Sequence, residues 1–397
     1  MDLDSKTLCL VMIVRNESKV IKRCLDRVKD KIDYWVIVDT GSDDNTMEII
    51  KETLQQVPGE LHQQQWVNFG VNRTQSLALA KNKADYLLLC DADEQILFSD
   101  DFDSSVLKTD AYLISYIGTN DYSVPYLIKG NLNWEYIGVT HEYLSCDIDI
   151  NRGKISTISI LDLQDGGYKQ DKFERDIVLL ENALIEEPDN PRYKFYLANS
   201  YRDIEDYENA AKWYKKRIQD GGWREEVTCT YENLGICYEK LQRPEEALHT
   251  WLMGYDYDPS RMECLYNAVR LLRIQENYRL AYQLCLIARS IPYPEQDILF
   301  VQRRVYQFWI FYELSICSYY VDNFQLGYDC CKHVLLNDPN FIVLETTINN
   351  LRFYKEFAAT DTVQNVEKIV IILQEYLKNN HNVKAQETLK YLETLLG

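Results

Sequence analysis

Short apolar runs alternate with polar stretches of helical spacing through the first 115 residues, and each apolar run stops at acids or turn formers. LCLVMIV (8–14) precedes a polar helix from about 18 to 31, and YWVIVDT (34–40) precedes a helix over 45–57. A weaker strand near 61–66 comes next, then a helix over 70–82 that leads into YLLLCDAD (86–93). Runs this apolar are strands covered on both faces, and the helices between them are crossovers, so the sheet they form is parallel. In such sheets ligands gather beyond the carboxyl ends of the strands. Those ends read Arg15-Asn16-Glu17, Asp39-Thr40-Gly41-Ser42 and Asp91-Ala92-Asp93. Residues 110–160 (AYLISYIG, NLNWEYIGVTHEYL, KISTISILDL) are mixed and β-rich, as expected of the less regular second part of the same domain.

Helical spacing takes over after about residue 170, and it repeats. Leu234, Gly235, Tyr238, Ala247, Trp251, Gly254 and Pro259, with Tyr231 opening the first helix, resemble a tetratricopeptide repeat in their relative offsets. Ala198, Tyr201, Ala210 and Tyr214 each stand 37 residues before a counterpart, and Ala281, Cys285 and Ala288 each stand 34 after one. A looser fourth copy, after an insertion near 291–305, has Phe311, Leu314, Gly327, Cys331 and Pro339. Small residues at fixed sites let helices approach, and the aromatics (Tyr193, Tyr196, Trp213, Tyr231, Tyr238) fill the gaps between hairpins. The expected division is therefore an α/β domain over 1–168, a connecting half-repeat over 169–190, repeats over 191–340 and capping helices over 341–397.

A chain of 397 residues with 46% hydrophobic and 26% charged residues has room for two or three cores. Its formal charge of −19 argues against a nucleic-acid or anionic-membrane surface, so an anionic ligand would need local help such as a metal ion. The eleven cysteines show no CxxC spacing, which excludes a disulfide framework or zinc site as the organising principle. No stretch approaches the roughly 20 apolar residues of a membrane span. The triplets Asn16-Glu17-Ser18 and Asn72-Arg73-Thr74 lie inside the motifs, where a secreted protein would avoid them. A reducing, cytoplasmic location is the expectation.

Two residues of like charge on alternate positions of extended chain, about 6 to 7 Å apart, repel unless a cation sits near them. Asp91 and Asp93 are such a pair, and Mg²⁺ or Mn²⁺ would suit their oxygens; the plainer alternative is an acidic, solvated loop. Asp39 ends a neighbouring strand 52 residues earlier, where a carboxylate accepts bonds from a nucleobase N–H or ribose hydroxyls, or merely closes a turn. Asp44 or Thr46 is placed to cap the following helix.

VMIVRNES, VIVDTGSDDNT and WVNFGVNRTQSLALAKNKADYLLLCDADE, in that order, resemble glycosyltransferase family 2, the inverting GT-A enzymes, over roughly residues 7–150. NWEYIGVTHEYL is similar to a W-x-x-x-G-x-x-H-E segment of a subgroup, and Gly221, Gly222, Trp223, Glu225 and Glu226 match a junction seen where a repeat array follows. The resemblance implies a GT-A nucleotide-sugar-binding domain followed by an all-α solenoid. By position it implies that Asp39 binds the base, with Arg15 and Glu17 lining the pocket and Arg73 near the diphosphate. Asp93 would ligate the metal, and Asp91 would bond ribose or a metal-bound water. Where relatives have Trp-x-Asp-Phe this chain has Trp66-Val67-Asn68-Phe69, a change expected to alter one local hydrogen bond. His141 would complete the metal shell as a neutral imidazole and Glu142 would act as general base, desolvated by Trp134 and Tyr136. The alternative is a strand on which the two point to opposite faces and only one reaches the site. Glu94 is read as a structural acid that anchors its loop.

The function this implies is a metal-dependent inverting transferase. It would move a sugar from a nucleotide diphosphate sugar, UDP-linked, to a protein or glycan acceptor, which the repeat groove could hold. A homodimer through the repeats is also compatible. The competing reading is a tetratricopeptide scaffold with an inactive GT-A domain, against which the intact Asp39, Asp91, Asp93 and His141 argue. A sugar-nucleotide pyrophosphorylase would need a glycine-rich first loop, and RNES has no glycine.

Overall fold

The computed structural model describes residues 5–117, 123–163, 165, 172–337 and 343–397. The chain divides into two compact units, residues 1–204 and 205–397. The half-repeat and the first expected repeat helix thus belong to the same unit as the sheet.

The first unit begins with the expected alternation: β1 (Leu8–Val14), α1 (Ile21–Val28), β2 (Tyr34–Asp39), α2 (Thr46–Thr53), β3 (Gly59–Gln63), α3 (Phe69–Ala80) and β4 (Tyr86–Leu89). It continues through β5 (Glu94–Phe98), β6 (Ala111–Tyr116), β7 (Ser123–Lys129), β8 (Trp134–Ile137), β9 (Tyr143–Cys146) and β10 (Arg152–Asp162). An eight-stranded sheet has the order β3-β2-β1-β4-β7-β6-β10-β5, and β8 pairs with β9 in a separate hairpin. β1 is parallel to both β2 and β4, and β2 to β3, while β7 runs antiparallel between β4 and β6. The sheet is mixed and mainly parallel, as the alternation requires.

Alternate residues of β1 explain why the run is apolar throughout. Leu8, Leu10, Met12 and Val14 join the core that includes Ile21, Cys24 and Leu25 of α1. Cys9 and Val11 join the opposite core with Leu77 and Ala80 of α3, Trp134 and Leu144. Neither face of the strand meets water, so neither tolerates a polar residue. α3 starts where Asn68 accepts a hydrogen bond from Val71 N at 2.8 Å, so the asparagine of the Trp66–Phe69 stretch serves as an N-cap. Two helices end this unit, α4 (Lys172–Glu186) and α5 (Pro191–Asp203), the second capped by Asn190 and begun by proline.

The second unit is helical: α6 (Tyr207–Asp220), α7 (Arg224–Lys240), α8 (Pro244–Tyr257), α9 (Glu263–Ile274), α10 (Tyr278–Ala288), α11 (Ile310–Tyr319) and α12 (Phe324–Asn337). Each packs on the next in chain order, the arrangement of a hairpin repeat. At Gly235 of α7 a Cβ would fall 2.2 Å from Nε1 of Trp251, which is fully buried and donates to Glu232 O at 3.0 Å. Glycine at that place and tryptophan at the other are therefore one packing solution. A π-helical turn over Val305–Trp309 leads into α11. α13 (Leu344–Leu351), a 3-10 turn over Lys355–Thr360, α14 (Val363–Asn379) and α15 (Val383–Leu396) complete the chain. Pro339 of the fourth repeat lies outside the described residues.

Ten of the eleven cysteines are buried, Cys146 is half-buried, and none is in a disulfide. Among the described residues no helix is long and apolar enough to cross a membrane.

Candidate functional site

The register Val14↔Asp39 sets the ends of β1 and β2 side by side, and their loops are laced together. Asn16, in the left-handed region at φ 56, donates its N–H to Ser42 Oγ and accepts from Asp43 N, both at 2.9 Å. Glu17 N donates to Thr46 Oγ1 at 2.8 Å and Ser18 N to Asp44 Oδ2 at 3.1 Å. Asp44 and Thr46 thus tie the two loops, and Asp44 Oδ1 also accepts from Thr46 N at 3.0 Å at the start of α2. Arg15 and Glu17, both half-buried, stand at the same strand end.

Asp39 is fully buried. Its Oδ1 accepts from Gly41 N and Ser42 N at 3.0 Å each. Its Oδ2 is also buried and has no hydrogen-bond partner among the described residues. A buried acceptor oxygen in that state is costly, and a ligand donor would relieve the cost.

β1 is also the neighbour of β4, so the DAD turn emerges beside these loops. The turn is tight: Glu94 N donates to Asp91 O at 3.2 Å while Asp91 N donates to Glu94 Oε2 at 2.9 Å, and the chain enters β5 at once. Tyr116 donates to Glu94 Oε1 at 2.6 Å. Burial, and then the charge of Asp91, push the Glu94 carboxyl up to about 8. Glu94 therefore anchors the loop. Asp93 is half-buried at the same turn.

Arg73 of α3 joins the aspartate turn to the hairpin loop between β8 and β9. Nη2 donates to Asp91 Oδ1 at 2.7 Å and Nε lies 2.8 Å from Glu142 Oε1, with the Tyr136 ring 5.6 Å from the guanidinium. Burial opposes its charge, but Asp91 and Glu142 outweigh that and hold the group protonated. α3 can carry Arg73 here because it lies against the hairpin. A Cβ on Gly70 would fall 2.0 Å from Gly138 O, Phe69 N donates to Val139 O at 3.1 Å, and Tyr136 N donates to Thr74 Oγ1 at 2.9 Å.

His141 and Glu142 diverge. His141, at φ 49, stacks on Tyr196 of α5 with ring centroids 4.1 Å apart. Its carbonyl accepts from Arg192 Nη2 at 2.7 Å, and its Nε2 lies 3.7 Å from Oδ2 of the buried Asp176 of α4. Burial, then the charges of Lys172 and Arg192, hold the imidazole down at about 4. Asp176 Oδ1 accepts from Thr140 Oγ1 at 3.2 Å, and burial raises its carboxyl. Arg73 thus brings Asp91 and Glu142 together, whereas His141 is turned to α4 and α5. Among the described residues no three His, Cys, Asp or Glu side chains are grouped as a metal cage would need.

Asp176 and Tyr196 were not singled out from the sequence. A signal existed for the first: Asp176 falls in register with Leu180 and Leu184 on the buried stripe of α4, where a carboxylate needs a partner.

The profile of Glycosyl transferase family 2 matches residues 9–102. The SPbeta prophage-derived glycosyltransferase SunS of Bacillus subtilis is 27% identical over 236 residues, 55% of this chain and 54% of that protein. A TPR repeat-containing protein of Synechococcus elongatus is 39% identical over 87 residues, 22% of this chain and 20% of its own length. The chain spans about half or less of the length of these curated relatives. Among solved structures, YrrB, a TPR protein with an unusual peptide-binding site, aligns with 44% of this chain and 84% of its own at 15% identity and a TM-score of 0.34. A MamA structure aligns with 49% and 97% at 14% identity and 0.36. Scores this low add nothing to the helix packing described above. Over residues 9–102, this chain carries a domain of glycosyl transferase family 2.

Proposed function

We propose that the first unit transfers a sugar from a nucleotide diphosphate sugar, UDP-linked, to a hydroxyl of a protein or glycan acceptor, with inversion at the anomeric carbon. The observation that carries the reading is Asp39: a buried carboxylate with one oxygen satisfied by two backbone amides and the other without a hydrogen-bond partner among the described residues, at the end of a parallel strand. Its open oxygen accepts from a base N–H or a ribose hydroxyl, and Arg15 and Glu17 border the same place.

The donor set at the DAD turn fits a hard divalent ion. Asp91 and Asp93 offer half-buried carboxylate oxygens one residue apart, a pairing of like charges that a cation relieves. Mg²⁺ or Mn²⁺, when bound there, would supply positive charge for the departing diphosphate. His141 is left with a positioning role, holding the loop to α4 and α5.

Arg73 orients both Asp91 and Glu142 and offsets negative charge at the turn. Glu142 takes the acceptor hydroxyl's proton as the acceptor oxygen bonds to the anomeric carbon and the bond to the diphosphate breaks.

A thermal-shift screen of nucleoside diphosphates and their sugars, with and without Mn²⁺, tests the site. UDP compounds are expected to raise the melting temperature, Asp39→Asn to abolish that rise, and Asp93→Ala to abolish its dependence on Mn²⁺. A rise that survives both substitutions unchanged overturns the assignment.

A further inference from the structure

The loop that carries Glu142, residues 138–142, joins β8 to β9 in a hairpin that forms a sheet of its own, apart from the eight-stranded one. Gly138 and His141 in this loop stand in the left-handed region, at φ 115 and φ 49. A glycine adopts that conformation at no steric cost. A histidine keeps it only where its surroundings over-determine it.

Those surroundings come from two sides. On one, Phe69 N of α3 donates to Val139 O at 3.1 Å, and a Cβ on Gly70 would collide with Gly138 O. On the other stand α4 and α5. Asp176 Oδ1 accepts from Thr140 Oγ1 at 3.2 Å, His141 O accepts from Arg192 Nη2 at 2.7 Å and Nε at 3.3 Å, and the His141 ring stacks on Tyr196 at an interplanar angle of 7°. The Arg192 guanidinium also lies 5.2 Å from the centre of the Tyr143 ring. Residues 141 and 143, one on each side of Glu142, are thus held by a single arginine of α5. Asp176 is fully buried on the apolar stripe of α4, a place that costs a carboxylate its solvation unless its partners are fixed. Besides Arg175, 3.6 Å away, those partners are Thr140 and His141 of the loop.

We propose that α4 and α5 are part of the transferase and more than the opening of the repeat stack. Asp176, Arg192 and Tyr196 are positioning residues that hold the 138–142 loop, and with it the Glu142 carboxylate, in place against Arg73. The proposal rests on Glu142 as the base of the proposed transfer. The family profile ends at residue 102, so these helices are a part of the site that the profile does not cover.

Hydrogen exchange on the full chain tests the clamp without any substrate. Arg192→Met is expected to speed exchange of the amide protons of residues 139–143 by about ten-fold or more, with β1, β2 and α3 unchanged. A loop that exchanges as in the unaltered chain overturns the proposal. Release of UDP from UDP-glucose with Mn²⁺ tests the consequence for transfer, with water in the acceptor's place. The water oxygen bonds to the anomeric carbon, the bond to the diphosphate breaks, and Glu142 takes the proton. Arg192→Met is expected to lower kcat by about ten-fold or more while KM for UDP-glucose and the thermal shift by UDP stay as they were. Arg192→Lys, which keeps one donor for His141 O, is expected to recover most of that loss. A loosened loop with unchanged kcat overturns the role of the helices in transfer. Unchanged kcat in Glu142→Gln instead overturns the transfer reading and leaves the clamp standing. Should the unaltered chain release no UDP, the exchange result alone decides. Should Arg192→Met not fold, Thr140→Val, which removes only the bond to Asp176, is read by the same two measurements with the same outcomes.

Discussion

Arg73 is half-buried between Asp91 at the end of β4 and Glu142 in the β8–β9 loop, and both acids pair with its guanidinium. A guanidinium's planar fork suits two carboxylates at once, which a lysine would not reproduce. Arg73→Met would leave both acids without their counter-charge, and a loss of about 3 kcal/mol in unfolding free energy is expected by denaturant titration. Glu142→Gln keeps the shape of the pair's acceptor. It is expected to bind the donor nucleotide as before in the thermal-shift assay and to lose at least 100-fold in kcat, the range of a lost general base. Unchanged turnover would move the base elsewhere. The acids at the strand ends were legible in the sequence because a polar residue that ends an apolar strand has its position set by local pattern. Which of them share Arg73 was not, since that depends on how α3 meets a hairpin some 60 residues later. The divergence of His141 was foreseen only as an alternative, and on a strand; the turn at φ 49 and the stack on Tyr196 come from helices far along the chain.

Among elements, the strands and crossover helices of the first hundred residues were readable to within a few positions, because burial on both faces leaves a continuous apolar signature. β5 escaped because it begins within the acid turn, where Glu94 is both loop anchor and first strand residue. The helical hairpins were readable from small residues at fixed offsets, and Gly235 shows why. Gly235→Ala drives a methyl against the fully buried Trp251 ring, which has no room to move. Helix propensity favours alanine by roughly 1 kcal/mol, yet overpacking dominates, and a net loss of about 2 kcal/mol is expected in chemical denaturation. A stabilised variant would mean that the two helices separate more easily than their packing indicates. What the periodicity could not reveal was the fate of the 291–305 insertion, since its bonds run to backbone atoms and follow no side-chain pattern.

For the whole molecule, with its charge of −19, a buried acid short of counter-charge is a liability that pH can adjust. Glu232 is the clearest case in the second unit: burial, then the charge of Glu263, push its carboxyl up to about 7, against the bonds from Gln302 and Asn267 and the charge of Arg261. A raised carboxyl favours the protonated folded form. Its stabilisation is complete below the unfolded value near 4.5 and is lost as pH rises through about 7. Glu232→Gln should therefore melt higher than the unaltered chain at pH 8, by up to roughly 3 kcal/mol of stability, with the gap narrowing as pH falls below about 7 and closing only near pH 4.5. A gap that does not depend on pH would show that Glu232 is ionised in the fold throughout.

The buried cysteines act only when the fold is lost. In the native chain their sulfurs are shut away from oxidants, and several, Cys9 and Cys330 among them, have thiols pushed up to about 12 by burial, so almost no thiolate forms. Unfolding sets eleven ordinary thiols free at once in a single chain, with no native disulfide to guide their pairing. Refolding yield will thus depend on the redox buffer, and a melting curve taken without reductant records a one-way process rather than an equilibrium.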